Sequence, residues 1–212
     1  MDFGDKIVHS TNANIKQYRS SEFIFQEGDT PHFYYKILKG RIKFNNYSED
    51  GKEIIQSFFE KGEAFGDSFL SGQMLYPVNA EALEASEILS IPKGEYIDIL
   101  SHEPELCMER NRDLSERLYF KSVMEQQIAS TTASSKLKGL MDYYKSFEKN
   151  KKPFSFLIPL TRQQMANFTG LCVETVIRTI KKMELDQLLK IHNSKIMYFF
   201  MIEVILSQTL NS

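Results

Sequence analysis

The stretch from Leu160 to Lys182 most restricts what this chain can fold into. Thr161 and Gln164 stand at capping-box spacing, flanked by Leu160 and Met165 as the apolar staple, so a helix starts at Thr161 by local chemistry alone. Ala166 is small enough for a second helix to cross closely. Gly170 supplies the sharp turn between the two, and Val176, six residues on, points inward to hold the pair together. Helix, short glycine turn, helix is a unit whose second helix can enter the major groove of DNA. Leu188–His192, the polar turn Asn193-Ser194-Lys195, and Ile196–Phe200 then read as two short strands, a wing. Glu174, Thr175, Arg178, Lys181 and Lys182 line the outward face of the second helix.

The whole-chain charge contradicts that reading at first. The 212 residues carry 26 Lys and Arg against 28 Asp and Glu, a net of −2. Division at Thr131 reverses the inference. Residues 131–212 hold 12 basic and 6 acidic side chains, a net of +6, and residues 1–130 a net of −8. Asymmetry of this kind is a cue for nucleic-acid or membrane contact by the basic half, and the helix-turn-helix pattern supports the first. The small polar run Ile128–Ser135 has the composition of a hinge, so two domains are expected, 1–130 and 131–212. A helix over about 134–147 and the basic loop Lys149–Pro153 follow the hinge.

Between Glu22 and Ile91 the texture is different. Phe23–Phe25, Phe33–Leu38 and Arg41–Phe44 are aromatic and β-branched, and turns at Gly28, Gly40, Gly51 and Gly62 separate such runs. Asp50-Gly51 between Ile42–Tyr47 and Glu53–Phe59 is a hairpin signal. From about Pro104 to Ser130 no glycine or proline intervenes, and Leu106, Arg110, Leu114, Leu118, Val123 or Met124, and Ile128 recur at helical steps. A helix of about 25 residues with so thin a stripe suits a seam between two subunits. The fold class is therefore α+β: an antiparallel β-roll of jelly-roll type, a long dimerisation helix near 103–130, and a winged helix-turn-helix.

At this point the chain resembles the CRP/FNR family of bacterial transcription regulators over nearly its whole length. The likeness rests on Thr161-Arg162-Gln163, Gly170 and Glu174-Thr175-Val176-Ile177-Arg178. It rests also on the roll turns Phe25–Asp29, Ile37–Gly40, Asp50–Glu53 and Gly62–Asp67. The resemblance implies a homodimer that binds double-stranded DNA, works with RNA polymerase and responds to an effector in the roll. Glu174 and Arg178 match the family's base-reading pair, with Val173 and Thr175 beside them. Glu can accept from cytosine N4, and Arg can grip guanine O6 and N7. Val-Glu-Thr is the FNR-branch pattern and implies half-sites like T-T-G-A. Ile177 replaces that branch's serine, which leaves the outer base unassigned. Thr161, Arg162, Gln163 and Lys181 would hold phosphates.

The expected effector pocket comprises Gly66, Asp67, Tyr76, Pro77, Val78, Lys121 and Ser122. Asp67 is shorter than the family's ribose-binding Glu. Tyr76-Pro77-Val78 stands where that pocket has an Arg-Ser phosphate cradle. Cyclic-nucleotide binding of the usual kind is therefore not expected, because a buried phosphate without a cation carries a large desolvation cost. Cys107 and Cys172 are too few for an iron–sulfur cluster. His9, His32, His102 and His192 share no spacing and read as surface residues, so neither a metal nor another cofactor is expected. Cys172, at the start of the recognition helix, reads first as a small buried packing residue, with redox sensing as the alternative, since a helix N-terminus can lower a thiol pKa. No apolar run approaches the roughly 18 residues of a membrane helix, and Met1–Lys6 lacks the order of a signal peptide, so a cytoplasmic, non-enzymatic protein is expected. Two other readings stay open: a ligand-binding roll with a protein-interaction tail, and a cupin-like metalloenzyme, against which the absence of any H-x-H pair speaks.

Overall fold

Glycine turns between aromatic runs build eight antiparallel strands in the N-terminal part of the computed structural model, which describes residues 12–72, 74–129, 131–146 and 154–198. His9, the basic loop 149–153 and the strand end 199–200 lie outside the described residues. The strands are β1 (Asn14–Tyr18), β2 (Phe23–Phe25), β3 (Phe33–Lys39), β4 (Arg41–Tyr47), β5 (Glu53–Glu60), β6 (Ala64–Phe65), β7 (Asn79–Ala82) and β8 (Ser86–Pro92). They form two four-stranded sheets, ordered β1-β8-β3-β6 and β2-β7-β4-β5. The Asp50-Gly51 signal is the β4–β5 hairpin turn: Gly51 has φ +77° and donates its N–H to the Ser48 carbonyl at 2.8 Å. Gly40 is required twice over, because its φ is +91° and a Cβ there would lie 2.8 Å from Ser86 Cα.

Phe25, Tyr35, Phe44, Phe59, Phe65 and Tyr76 fill the roll together with Ile37, Ile42 and Val78. Phe25 and Tyr76 stack at 3.6 Å between centroids with 7° between planes. A second face of β4 is polar and nevertheless buried. Lys43 pairs with Glu53 and, at 3.1 Å, with Glu81, and Asn45 Nδ2 donates to the same two carboxylates at 2.6 and 3.1 Å. Burial works against the Lys43 ammonium, but its hydrogen bonds to the Glu53 and Glu81 carboxylates outweigh that and raise its pKa.

The helices are α1 (Lys93–His102), α2 (Pro104–Ile128), α3 (Ala133–Ser146), α4 (Arg162–Thr169) and α5 (Val173–Leu185). Proline opens α2 at the first helical position, where its missing N–H is harmless. The chain divides into two compact units, residues 1–115 and 116–212, and the division falls inside α2. The first two rungs of the expected subunit seam take a different place. Leu106 joins a core cluster with Tyr34, Leu70 and Tyr96, and Arg110 is buried beside it, so both serve the roll rather than a partner. Farther along α2, Leu118, Tyr119 and Val123 are exposed. Periodicity cannot separate these two uses of one stripe, since both need the same helical spacing.

In the second unit, α3, α4 and α5 pack on one another. Strands β10 (Leu189–His192) and β11 (Lys195–Tyr198) form the wing, and β9 (Phe156–Leu157), which the sequence pattern does not signal, adds a third strand on β11. Tyr198 ties the wing to α3 through a 2.6 Å hydrogen bond from its hydroxyl to Asp142 Oδ1. Helix α5 ends in a Schellman motif: Leu188 N–H bonds to the Met183 carbonyl and Gln187 N–H to that of Glu184, both at 3.0 Å. Gln187 occupies the left-handed position of that motif, at φ +59°. A side chain there is strained by about 1 kcal/mol relative to glycine. Gln187→Gly is expected to stabilise the unit by about 0.5 kcal/mol after its greater unfolded-state freedom is counted. Urea unfolding should show a higher midpoint at unchanged slope.

Candidate nucleic-acid interface

Local chemistry places the reading helix. The Thr161 hydroxyl accepts the Gln164 N–H at 3.1 Å, and the Gln164 side chain accepts the Thr161 N–H at 2.9 Å, completing the capping box. Leu160, Met165 and Ala166 are buried, and Gly170 closes α4 at φ +70°. Cys172 then caps α5 with its backbone extended, and Val176, Ile180 and Met183 are all buried. Ile180 thus fills the inward place that Thr179 leaves only half-buried.

On the face opposite those three residues, Glu174, Ile177, Arg178 and Lys181 line a recess of about 400 Å³. Among the described residues, Glu174 and Arg178 have no hydrogen-bond or ion-pair partner, so an acceptor and a five-donor fork both stand free. Thr175 and Val173 are half-buried. The Thr175 hydroxyl lies 3.0 Å from the Cys172 sulfur, which directs it to the helix start. Cys172 itself is exposed rather than buried, so the expectation of a packing residue does not hold; at the N-cap position its side chain projects outside the helix contacts.

Of the residues expected on phosphates, Thr161, Gln163 and Lys181 are exposed and Arg162 is half-buried. Burial lowers the Arg162 pKa, and the nearby Glu184 carboxylate opposes that shift. Gln163 donates to Asn167 Oδ1 at 2.8 Å. Lys181 therefore offers the least committed cation of the set.

The residues expected to form an effector pocket are largely engaged with the protein itself. Asp67 Oδ2 lies 2.6 Å from Arg110 Nη2, and Arg110 Nη1 lies 2.8 Å from Asp113. Tyr34 and Tyr96 stack beside this guanidinium, and burial raises both phenols far above their usual range, so each stays neutral. Tyr76 and Val78 are core residues, Gly66 abuts Phe25 and Tyr35, and the Pro77 carbonyl accepts from Asn46 Nδ2. Lys121 and Ser122 lie in the second unit, where Ser122 Oγ bonds back to the Leu118 carbonyl. Asp67 is thus held by an internal cation, and Tyr76 is stacked on Phe25. Arg110 is the neighbour of Asp67 that sequence reading misses, since only folding brings the two together.

The fold and the reading face define a class: regulators that join a sensor-type β-roll to a DNA-binding winged helix. Two family models match in that order, the cyclic nucleotide-binding domain over residues 15–103 and the Crp-like helix-turn-helix domain over residues 139–198. The chain belongs to the CRP/FNR family of transcription regulators. It is 26% identical over 192 residues to the cAMP-activated global transcriptional regulator CRP of Pasteurella multocida, spanning 89% of this chain and 91% of that protein. It is 25% identical over 181 residues to the transcriptional activator protein FnrA of Stutzerimonas stutzeri, spanning 84% and 73%. Among solved structures, FixK2 from Bradyrhizobium japonicum superposes with a TM-score of 0.72 at 17% identity, covering 88% of this chain and 92% of that one. The c-di-GMP responsive regulator CLP from Xanthomonas campestris reaches 0.71 at 18% identity, covering 93% and 98%. The family is one of regulators rather than enzymes. Among the described residues no helix is long and apolar enough to cross a membrane, and no group of three His, Cys, Asp or Glu could hold a metal ion.

Proposed function

We propose that this chain acts as a homodimer that reads a palindromic operator through α5 and communicates with RNA polymerase, with domains dividing near residue 130. Glu174 and Arg178 take the G·C pair of a T-T-G-A-like half-site, while Thr161, Arg162, Gln163 and Lys181 set the register on phosphates. The observation that carries this reading is the free Glu174–Arg178 pair on the exposed face of a capped helix-turn-helix. The exposed Leu118, Tyr119 and Val123 on α2 support a subunit seam. Light scattering of the purified chain, paired with a band shift on T-T-G-A palindromes, tests both parts. A monomer, or binding indifferent to the palindrome, would overturn it. Affinity is expected to fall steeply with salt, as counterion release demands.

Activity is set without a cyclic nucleotide, because Asp67 is paired with Arg110 and Tyr76 is stacked on Phe25. Adding cAMP at 1 mM, about the weakest affinity worth testing, is expected to leave operator affinity within two-fold, roughly the error of such a titration. A saturable increase would show that the pair opens to admit the nucleotide.

A further inference from the structure

Glu184 carries its charge at the end of a helix where a carboxylate is least favoured. It stands in the last turn of α5, which ends at Leu185, and the helix dipole there favours cations. Arg162 is the mirror case, a cation at the first position of α4, whose N-terminus favours anions. Helix electrostatics therefore explain neither placement. What Glu184 does instead is hold both ends of the link from α5 to the wing. Its carbonyl accepts the Gln187 N–H at 3.0 Å, and its Oε1 accepts the Ile191 N–H at 2.9 Å. Ile191 lies in β10, the edge strand of the three-stranded wing sheet, and the carboxylate takes the place a further strand would have. A recess of about 480 Å³ lined by Phe154, Glu184, Gln187, Leu189 and Lys190 opens beside the bond, so close packing does not join the two elements on this side.

We propose that Glu184 is a positioning residue for DNA binding, which fixes the wing against the C-terminal turn of α5 before DNA arrives. The inference rests on the operator-reading function proposed above and adds to it the element beside α5. The wing carries Lys190 and Lys195, both exposed, the second next to the turn Asn193-Ser194. Such cations gain most from phosphates when the strand that bears them is already in place. An untied wing has to be ordered as the complex forms, and affinity falls by what that ordering costs. The loss is common to all duplexes, because a phosphate contact carries no sequence information. In this role Glu184 acts through Ile191 and needs no contact with DNA.

The test uses the full chain and two variants of similar side-chain length. Glu184→Met removes the acceptor; Glu184→Gln keeps an oxygen for Ile191 and removes only the charge beside Arg162. Glu184→Met is expected to bind operator and scrambled duplexes about two- to ten-fold more weakly than wild type, the range that one net hydrogen bond spans. Glu184→Gln is expected to bind both at least as tightly as wild type, since it withdraws a negative charge from beside a phosphate-binding cation. Amide exchange at Ile191 should be slow in wild type and Glu184→Gln and fast in Glu184→Met. Binding is measured below the melting transition of each variant, so a residue that only stabilised the fold would leave these affinities unchanged. Wild-type affinity in Glu184→Met, or an equal loss in Glu184→Gln, overturns the inference, while the operator reading stands if Arg178→Ala still loses the palindrome. An unprotected Ile191 amide in wild type overturns it whatever the variants do. If wild type binds no duplex, the operator reading itself fails, and this inference with it.

Discussion

Arg178→Ala is expected to remove the preference for the palindrome while leaving general affinity for DNA. A bidentate Arg–guanine contact is worth about 1–3 kcal/mol of discrimination, so each half-site loses about ten- to a hundred-fold. A symmetric dimer loses that factor at both half-sites. Truncating Arg178 leaves no buried partner behind, since its fork is free in the isolated protein. Arg162→Ala should behave differently. A phosphate contact carries no sequence information, so the loss is shared by all duplexes, and the salt dependence becomes shallower by about one unit per site lost. Band shifts on specific and scrambled duplexes at two salt concentrations separate the two. Equal effects of both substitutions on both duplexes would refute the division of labour.

The largest effect on stability is expected at Asp67. Asp67→Ala leaves the Arg110 guanidinium, 10% exposed at its side chain, without its 2.6 Å partner. Breaking a buried pair from one side typically costs about 3–5 kcal/mol, whereas replacing both members by apolar residues is often close to neutral. Asp113 also holds Arg110, at 2.8 Å, but is itself 45% exposed and so gives less in a screened setting. Urea unfolding of Asp67→Ala, Arg110→Leu and the double variant Asp67→Ala/Arg110→Leu closes a thermodynamic cycle. The double variant should be markedly more stable than Asp67→Ala. Additive losses would mean that the two residues act independently, against the observed geometry.

The two arginines also show where reading residues in order succeeds and where it stops. Arg178 was legible because everything that fixes it is local. The capping box at Thr161, the turn at Gly170 and the inward Val176 lie within fifteen residues of one another. Each is a property of short backbone geometry. Arg110 was not legible. Its helical spacing fits a subunit seam as well as it fits a buried ion pair, and its partner Asp67 lies 43 residues away. The same limit hid β9, a two-residue strand whose place depends on β11 forty residues later. It also hid the Lys43–Glu53–Glu81 network, which looks like an ordinary alternation of polar and apolar residues.

Sequence alone determined the order of elements, the hairpin and glycine turns, the winged helix-turn-helix and the sign of charge in each half. These follow from periodicity, caps and composition, which act over one or two turns of chain. The tertiary structure decided which side chains remain free for a partner. It engages Asp67 and Tyr76 inside the roll and leaves Glu174, Ile177 and Arg178 at the surface. Availability of this kind is a property of long-range packing, because a polar group becomes a binding group only when no other part of the fold has satisfied it.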